Sequence, residues 1–384
     1  MANPKIHPAI LLSPVENGYV AYDPASDKLH QLNPMAALLA ELSDGDRSVE
    51  DVENLVRPLL PPDGVDAVKR WFDEGAKSGL LVSSDAALGA HREFTGAELY
   101  ALAKRLKEYG NVQPAYLCTK RAVELNPADW DAWYDLGDLC QSVGRREEAR
   151  EAYQKYFDTH PEDAEIEHLL IALRDEAPPA RASDRTIQQI YKDFAWNYET
   201  RMREDLEYKG PERIADAVHA VMPEPSNLKI LDLGCGSGLS GITLKPWARE
   251  LTGVDLSPEM LEIARKREIY DRLEVGEITQ WLKASAEPFE MIVSCDVIIY
   301  FGDLHELVAL AKSRLVPGGH FVFSMERGQT YPFRITDTGR YEHHPDHVRD
   351  AAAAAGLHVA NLEEAFLRME YGAVVTGLFA VLRK

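Results

Sequence analysis

Cysteine is scarce in this chain, and the few present do not pair. Cys118, Cys140, Cys235 and Cys295 are scattered through 384 residues with no Cys-x-x-Cys spacing. That excludes a disulfide framework and a thiolate zinc site, leaving four reduced thiols and no expected metal. Positive charge is also short, with 42 Lys and Arg against 63 Asp and Glu and a net charge of −21. No Lys/Arg run offsets this locally, so nonspecific binding to nucleic acid or anionic lipid is disfavoured. Long apolar runs are missing as well. None approaches the roughly 18 residues of a membrane span, and Met1 to Gly18 offers only Lys5 as a basic signal-peptide feature, with no sustained apolar segment. A soluble cytoplasmic protein without nucleic-acid or membrane partners is expected.

What is present centres on Lys229 to Gly241, Lys-Ile-Leu-Asp-Leu-Gly-Cys-Gly-Ser-Gly-Leu-Ser-Gly, followed by Gly253-Val254-Asp255-Leu256-Ser257. Ile230 to Leu233 reads as a buried parallel strand, and Gly234, Gly236 and Gly238 as a turn open to positive φ or close backbone approach. A strand, a glycine turn and an acid about 20 residues later describe a nucleotide-type cofactor site. Gly236 to Gly241 also spells Gly-x-Gly-x-x-Gly, so the glycines alone admit a dinucleotide enzyme. Strands then alternate with helices: 230–233, 251–254, 273–275, 291–295, 319–325, and a late antiparallel pair at 361–369 and 373–383. This predicts a seven-stranded, doubly wound, Rossmann-like α/β domain that binds its ligand at the carboxyl ends of the first strands.

Asp232 before the glycines and Leu315-Val316-Pro317-Gly318-Gly319 after a later helix resemble the signature of class I S-adenosylmethionine (SAM) dependent methyltransferases. Asp296 to Leu304, Gly339 to His343, and Leu367 to Glu370 with Gly377 look like the methyltransferase domains found behind tetratricopeptide repeats. This resemblance covers residues 185–384. It implies SAM as cofactor and S-adenosylhomocysteine as product. Asp255 would hold the ribose hydroxyls beside Leu256, and Glu277 and Ile278 would meet the adenine, although the family more often has Asp than Glu there. Asp232, Gly234, Gly236 and Gly238 would shape the turn around the methionine part, with Asp296 and Val297 beneath the sulfonium. The aromatic helix Tyr-x-x-Phe-Ala-x-x-Tyr would bring Tyr191 and Tyr198 across the cofactor mouth, although such stripes are often core. Acceptor contacts would come from Tyr300, Glu326, Arg340, Tyr341 and Arg368, the arginines being equally suited to structural ion pairs with Glu342 or Glu370. His343 or His344 would serve as base if the acceptor must lose a proton, since imidazole titrates near neutrality.

Residues 96–129 and 130–163 align with each other at a 34-residue period, Leu102 with Leu136, Gly110 with Gly144 and Pro127 with Pro161, which is the tetratricopeptide pattern. A helix from Ala164 to Glu176 would cap them, giving a helical domain over 93–177 that either binds peptide or spaces its neighbours. The Pro/Ala segment 177–184 reads as a linker. Residues 1–90 read as three short strands followed by three helices, with Asn33 and Ser48 as helix caps, a small α+β winged-helix-like module. Leu29 to Asn33, Ser43 to Asp46 with Val49 and Val52, and Gly79-Leu80-Leu81 resemble PqqD-like domains. That resemblance implies a precursor peptide held as an added strand. The combination predicts a SAM-dependent methyltransferase acting on a ribosomally made peptide. A small-molecule methyltransferase with scaffolding or dimerising front domains, and a non-catalytic peptide-binding protein, are the alternatives. A second copy of the chain is a further candidate partner.

Overall fold

A computed structural model describes residues 3–61, 64–85, 93–174, 177–194, 198–202 and 206–384. Trp196, the Phe194 side chain and Glu176 lie outside the described residues. Two compact units divide the chain, Met1–Tyr156 and Phe157–Lys384.

The first unit opens with strands β1 (Pro4–Ile6), β2 (Leu11–Val15), β3 (Gly18–Asp23) and β4 (Lys28–Leu32). Helices α1 (Pro34–Leu42), α2 (Val49–Val56) and α3 (Gly64–Ser78) follow, then β5 (Leu81–Ser83). Asn33 caps α1 by accepting the Ala36 amide, and Ser48 with Asp51 forms a full capping box on α2. β2, β3 and β4 make an antiparallel meander whose inner residues join Leu39, Val52, Phe72 and Leu81 in one core. β1, not expected from the sequence, exists through its pairing with β5. Three residues carry no readable alternation, and the partner lies some 75 positions away.

Helices α4 (Gly96–Glu108), α5 (Val112–Leu125), α6 (Trp130–Ser142) and α7 (Arg146–Phe157) are the repeat helices. The small residues that set the period permit close packing. A Cβ on Gly137 of α6 would stand 2.3 Å from the Tyr153 ring on α7. α5 packs on β2 and β3, and Arg145 donates to Ser13 Oγ at 2.8 Å and to the Pro14 carbonyl. β4, at the other side of the meander, has one strand neighbour.

In the second unit, α8 (Ala164–Leu173), α9 (Asp184–Phe194), α10 (Tyr198–Thr200) and α11 (Gly210–Val221) lead into an alternating series. It runs β6 (Leu228–Leu233), α12 (Leu239–Leu244), β7 (Ala248–Asp255), α13 (Pro258–Arg265), β8 (Arg272–Val275), α14 (Ile278–Ala284), β9 (Phe289–Ser294), α15 (His305–Arg314) and β10 (Leu315–Arg327). β11 (Phe333–Ile335), β12 (Tyr341–His343), α16 (Pro345–Ala355), β13 (His358–Glu370) and β14 (Ala373–Arg383) complete it. Strands β8, β7, β6, β9 and β10 are parallel neighbours, and β14 joins β10 antiparallel with β13 beyond it. β6 shows why the run Ile-Leu-Asp-Leu is nearly continuous. Leu231 and Leu233 enter the core on one face and Ile230 the core on the other, as in a sheet covered on both sides.

Two corrections to the sequence reading bear on the site. The sheet has nine strands, because β11 and β12 insert after β10, β12 pairing parallel with its end at Glu326 and Arg327. And 177–184 is not a free linker. Ala182 is fully buried, its amide donates to the Tyr300 carbonyl at 2.8 Å, and Ala180 accepts from Gly302 at 2.8 Å. Helix α8 also bonds to neighbours within this unit: His168 Nε2 meets the Gly339 carbonyl at 2.7 Å, and Thr186 Oγ1 donates to the Ala164 carbonyl at 3.0 Å.

The close packing at Gly137 yields a stability test. Gly137→Ala gains helix propensity of up to about 1 kcal/mol but forces a methyl into the Tyr153 ring, and overpacking costs about 1–3 kcal/mol. The denaturation midpoint should fall; a raised midpoint would contradict the packing.

Candidate active site

The site begins where β6 ends. Gly234, Gly236 and Gly238 all adopt positive φ, at 70°, 54° and 88°, a region that costs other residues about 1–2 kcal/mol. A Cβ on Gly234 would sit 2.2 Å from Val297. The turn is tied to β7 by three bonds. Val254 O accepts from Gly234 N at 2.7 Å and from Cys235 N at 3.1 Å, and Asp255 Oδ2 accepts from Gly236 N at 2.8 Å. Asp255 Oδ1 takes the Ser257 amide at 2.8 Å, while Ser257 itself caps α13. A carboxylate offers about four lone-pair sites, so these two amides orient Asp255 and leave acceptor capacity on both oxygens. Burial raises its pKa.

Asp232 lies under the turn, fully buried. Its Oδ2 accepts from Ser240 Oγ at 2.8 Å and Tyr270 OH at 2.7 Å, while Oδ1 has no partner. Burial pushes its pKa up to about 6 despite those two donors. Asp296, after β9, is held at a left-handed φ of 58° with its amide on Ser324 Oγ at 2.8 Å. Strain of this kind collects at functional sites.

These residues line a cleft enclosing about 600 Å³, part of it open to solvent. Tyr191, Tyr198, Gly234, Gly236, Asp255, Leu256, Glu277, Ile278, Asp296, Val297 and Tyr300 all reach it. The ring of Tyr191 lies 6.2 Å from those of Tyr198 and Tyr300, with the Tyr191 and Tyr300 hydroxyls 3.2 Å apart. Burial raises the pKa of all three phenols, so they stay protonated at neutral pH. Glu277 is engaged locally as the cap of α14, accepting from Thr279 N at 3.0 Å, Gln280 N at 2.8 Å and Thr279 Oγ1 at 2.5 Å. Gly238 caps α12, and Asp232 stays beneath the turn.

The other expected site residues are not brought to this cleft. His343 is fully buried on β12, its Nδ1 3.3 Å from that of His347. Burial, together with His347, pushes its pKa down to about 3, so it cannot act as a base from solvent-like chemistry near neutrality. His344 caps α16, accepting the Asp346 amide at 3.1 Å. Tyr341 is buried against Ala172 and Ile335, its hydroxyl on the Pro179 carbonyl at 2.9 Å. Arg368, with a side chain 1% exposed, bonds Glu326 and lies 3.5 Å from both Asp296 Oδ1 and Glu370 Oε2. Arg340 bonds Glu370, whereas Glu342 pairs with Arg334 at 2.9 Å. Arg368 is thus engaged in a buried ion pair with Glu326, and Arg340 in a half-buried one with Glu370. Glu326 and Glu370 instead border a wider groove of about 1110 Å³ along β10, β13 and β14; it lacks a glycine turn and a paired acid like Asp255, so the smaller cleft is the cofactor candidate.

Sequence reading missed Arg181, Ile187, Met260, Cys295 and Phe301, which also line the cleft. Arg181 was hidden in Pro-rich composition. Cys295 was legible in principle, since it ends β9 beside Asp296.

A cleft at the carboxyl ends of parallel strands, with acids for hydroxyls, Ile278 and Leu256 for a flat apolar group, and tyrosines able to face a cation, fits an adenosyl sulfonium. Fold and site point to a class: the second unit is a Rossmann-like α/β domain similar to SAM-dependent methyltransferase domains, and its cleft fits that cofactor. Residues 202–363 match a family model described as a methyltransferase domain, and residues 130–173 one described as a tetratricopeptide repeat. Ubiquinone biosynthesis O-methyltransferases are similar: that of Xanthomonas axonopodis pv. citri is 26% identical over 155 residues, 36% of this chain and 64% of the relative. That of Xylella fastidiosa (strain 9a5c) is 28% identical over 152 residues, 36% of this chain and 61% of the relative. The match spans less than two thirds of either relative's length. Among solved structures, the Burkholderia thailandensis 1,6-didemethyltoxoflavin-N1-methyltransferase aligns at TM-score 0.41 and 20% identity over 54% of this chain and 92% of that one.

Asp232 generates a pH prediction. Its folded pKa of about 6 lies above the ordinary 3.8, so between those values the folded state retains a proton that the unfolded state releases. Stability of the cofactor-free protein therefore falls as pH rises from about 4 through 6, by at most about 3 kcal/mol. Asp232→Asn should flatten that part of the profile. An unaltered pH dependence in the variant would refute the unpaired-carboxylate account.

Proposed function

We propose that this chain transfers a methyl group from SAM to an acceptor carried by a peptide that residues 1–90 grip, working in the cytoplasm beside that ribosomally made substrate. The glycine turn locked to Asp255 next to an acid- and tyrosine-lined cleft is the observation that supports the catalytic half. SAM supplies a methyl on a sulfonium whose leaving group is already activated. What remains for the protein is alignment and exclusion of water. Asp255 and Leu256 would hold the ribose side, Ile278 the adenine, and the turn with Asp232 the methionine part. Tyr191, Tyr198 and Tyr300 would close the cleft over the reacting carbon. With no histidine among the described lining residues, Asp296 is the carboxylate positioned to take a proton if the acceptor must lose one.

The peptide half rests on β4, which among the described residues has a strand on one side only and carries Leu29 46% exposed. An edge of this kind offers unpaired amides for an added strand and an apolar contact for register. The β2 side, by contrast, carries the Arg145 bonds. A second reading, a small-molecule acceptor with the front domains as scaffold or dimer contact, is favoured by the names of the curated relatives. The non-catalytic reading has less support, because a site without turnover would not need the glycines and Asp255 kept together.

The readings separate by mass spectrometry of the full chain with SAM and either a leader-bearing precursor peptide or a panel of small molecules. Leu29→Asp should slow peptide methylation at least about tenfold, the loss of one apolar contact of about 1.4 kcal/mol, without altering SAM affinity. Equal peptide turnover in the variant, or transfer to small molecules alone, would overturn the peptide half. SAM binding without transfer to any acceptor would overturn the catalytic half.

A further inference from the structure

A second constellation lies behind the cleft wall. The segment that places Tyr300 and Phe301 in the cleft continues through Gly302 to Asp303 and into α15 at His305. α15 packs on α16, whose third residue is His347. Asp303 Oδ1 lies 2.7 Å from His305 Nδ1 and 3.9 Å from His347 Nε2. The two imidazole centroids are 5.7 Å apart, and one donor atom from each of the three residues falls within 4.8 Å of the others.

We propose that Asp303, His305 and His347 hold a single divalent transition-metal ion of the zinc type. The donor set of two imidazoles and one carboxylate is the kind that selects such ions over magnesium or calcium, which prefer all-oxygen shells. Bonds of about 2.0–2.1 Å in a tetrahedral site place donors about 3.3 Å apart, and the two spacings from Asp303 bracket that value. Closing the donors on an ion needs side-chain adjustment, which the two exposed members, Asp303 and His305, can make.

His347 is the fixed member. Its side chain is 3% exposed, stacked on Phe333 with centroids 5.6 Å apart, and its Nδ1 is 3.3 Å from His343 Nδ1. The ring is therefore oriented by an outer partner, as metal-ligating imidazoles are, with Nε2 directed at Asp303 over a distance too long for a hydrogen bond. This also gives the buried His343 a purpose other than catalysis: it positions His347.

The ion would join the turn carrying Tyr300 and Phe301 to α16, bracing the cleft wall from behind. No sequence spacing announced this site, because Asp303-x-His305 and His347 are brought together only by the packing of two helices.

The test uses the full chain, stripped with a chelator and desalted, titrated with Co²⁺ by visible absorption and with Zn²⁺ by calorimetry. One equivalent of Co²⁺ with tetrahedral absorption, displaced by Zn²⁺ and not by Mg²⁺, is expected. Asp303→Asn and His305→Ala change exposed side chains and should weaken Zn²⁺ binding by more than about 100-fold, with the Zn²⁺-dependent rise in melting temperature lost. Absence of a stoichiometric site, or Zn²⁺ affinity unchanged in both variants, would overturn the proposal. SAM titration of the same samples reports separately on the cofactor reading, so the two fail independently.

Discussion

The carboxylate of Asp255 accepting the Gly236 amide is the contact on which the functional half of the molecule depends. It binds the end of one strand to the turn leaving its neighbour, and it does so with a side chain that must be charged and buried at once. Burial raises the Asp255 pKa, so the ionised form is kept by amides whose positions require Gly234 and Gly236 at positive φ. Val297 then packs where a Cβ on Gly234 would be, placing Asp296 across the cleft. Loss of that bond would leave the turn held only by the Gly234 and Cys235 amides on the Val254 carbonyl and would free the Asp255 carboxylate from its orientation in the cleft.

Beside the cleft, at the end of β10 and on the β13–β14 hairpin, charged side chains form a largely buried network. Arg368 joins Glu326, Asp296 and Glu370, and Arg340 closes on Glu370. Breaking such a network by removing one member leaves an uncompensated charge, so it acts as a rigid connection from the β13–β14 hairpin to the Asp296 turn. Helix α8 and the segment 179–182 reach the same region through Gly339, Tyr341 and Tyr300. This end of the domain is thereby fixed by elements that precede the sheet in the chain.

Much of this was legible in the sequence where the information is local. Ile230 to Leu233, the three glycines and Asp255 form a short-range pattern whose geometry leaves few options. Asn33, Ser48 and the 34-residue repeat were readable for the same reason. What was missed depends on contacts distant in the chain. β1 is a strand only against β5, and β11 and β12 only against the end of β10. Residues 177–184 look like a linker because composition does not reveal that Ala182 will be buried under Tyr300. His343 and His344 were chosen for the titration range of imidazole, yet one is withdrawn into the core and the other spent on capping a helix. A pairing of Arg340 or Arg368 with Glu370 was among the options read from the sequence, whereas Glu326 as the main partner of Arg368 depends on the register of β10 against the hairpin.

The central claim, that the turn held by Asp255 is a SAM site, is tested most directly by calorimetric titration of the full chain and of Asp255→Ala with SAM. One molecule of SAM should bind the unaltered chain, and the variant should bind at least about 100-fold more weakly, as expected for loss of about 3 kcal/mol in hydrogen bonds to a charged acceptor. Equal affinity in the two proteins, or no binding by the unaltered chain, would contradict the account.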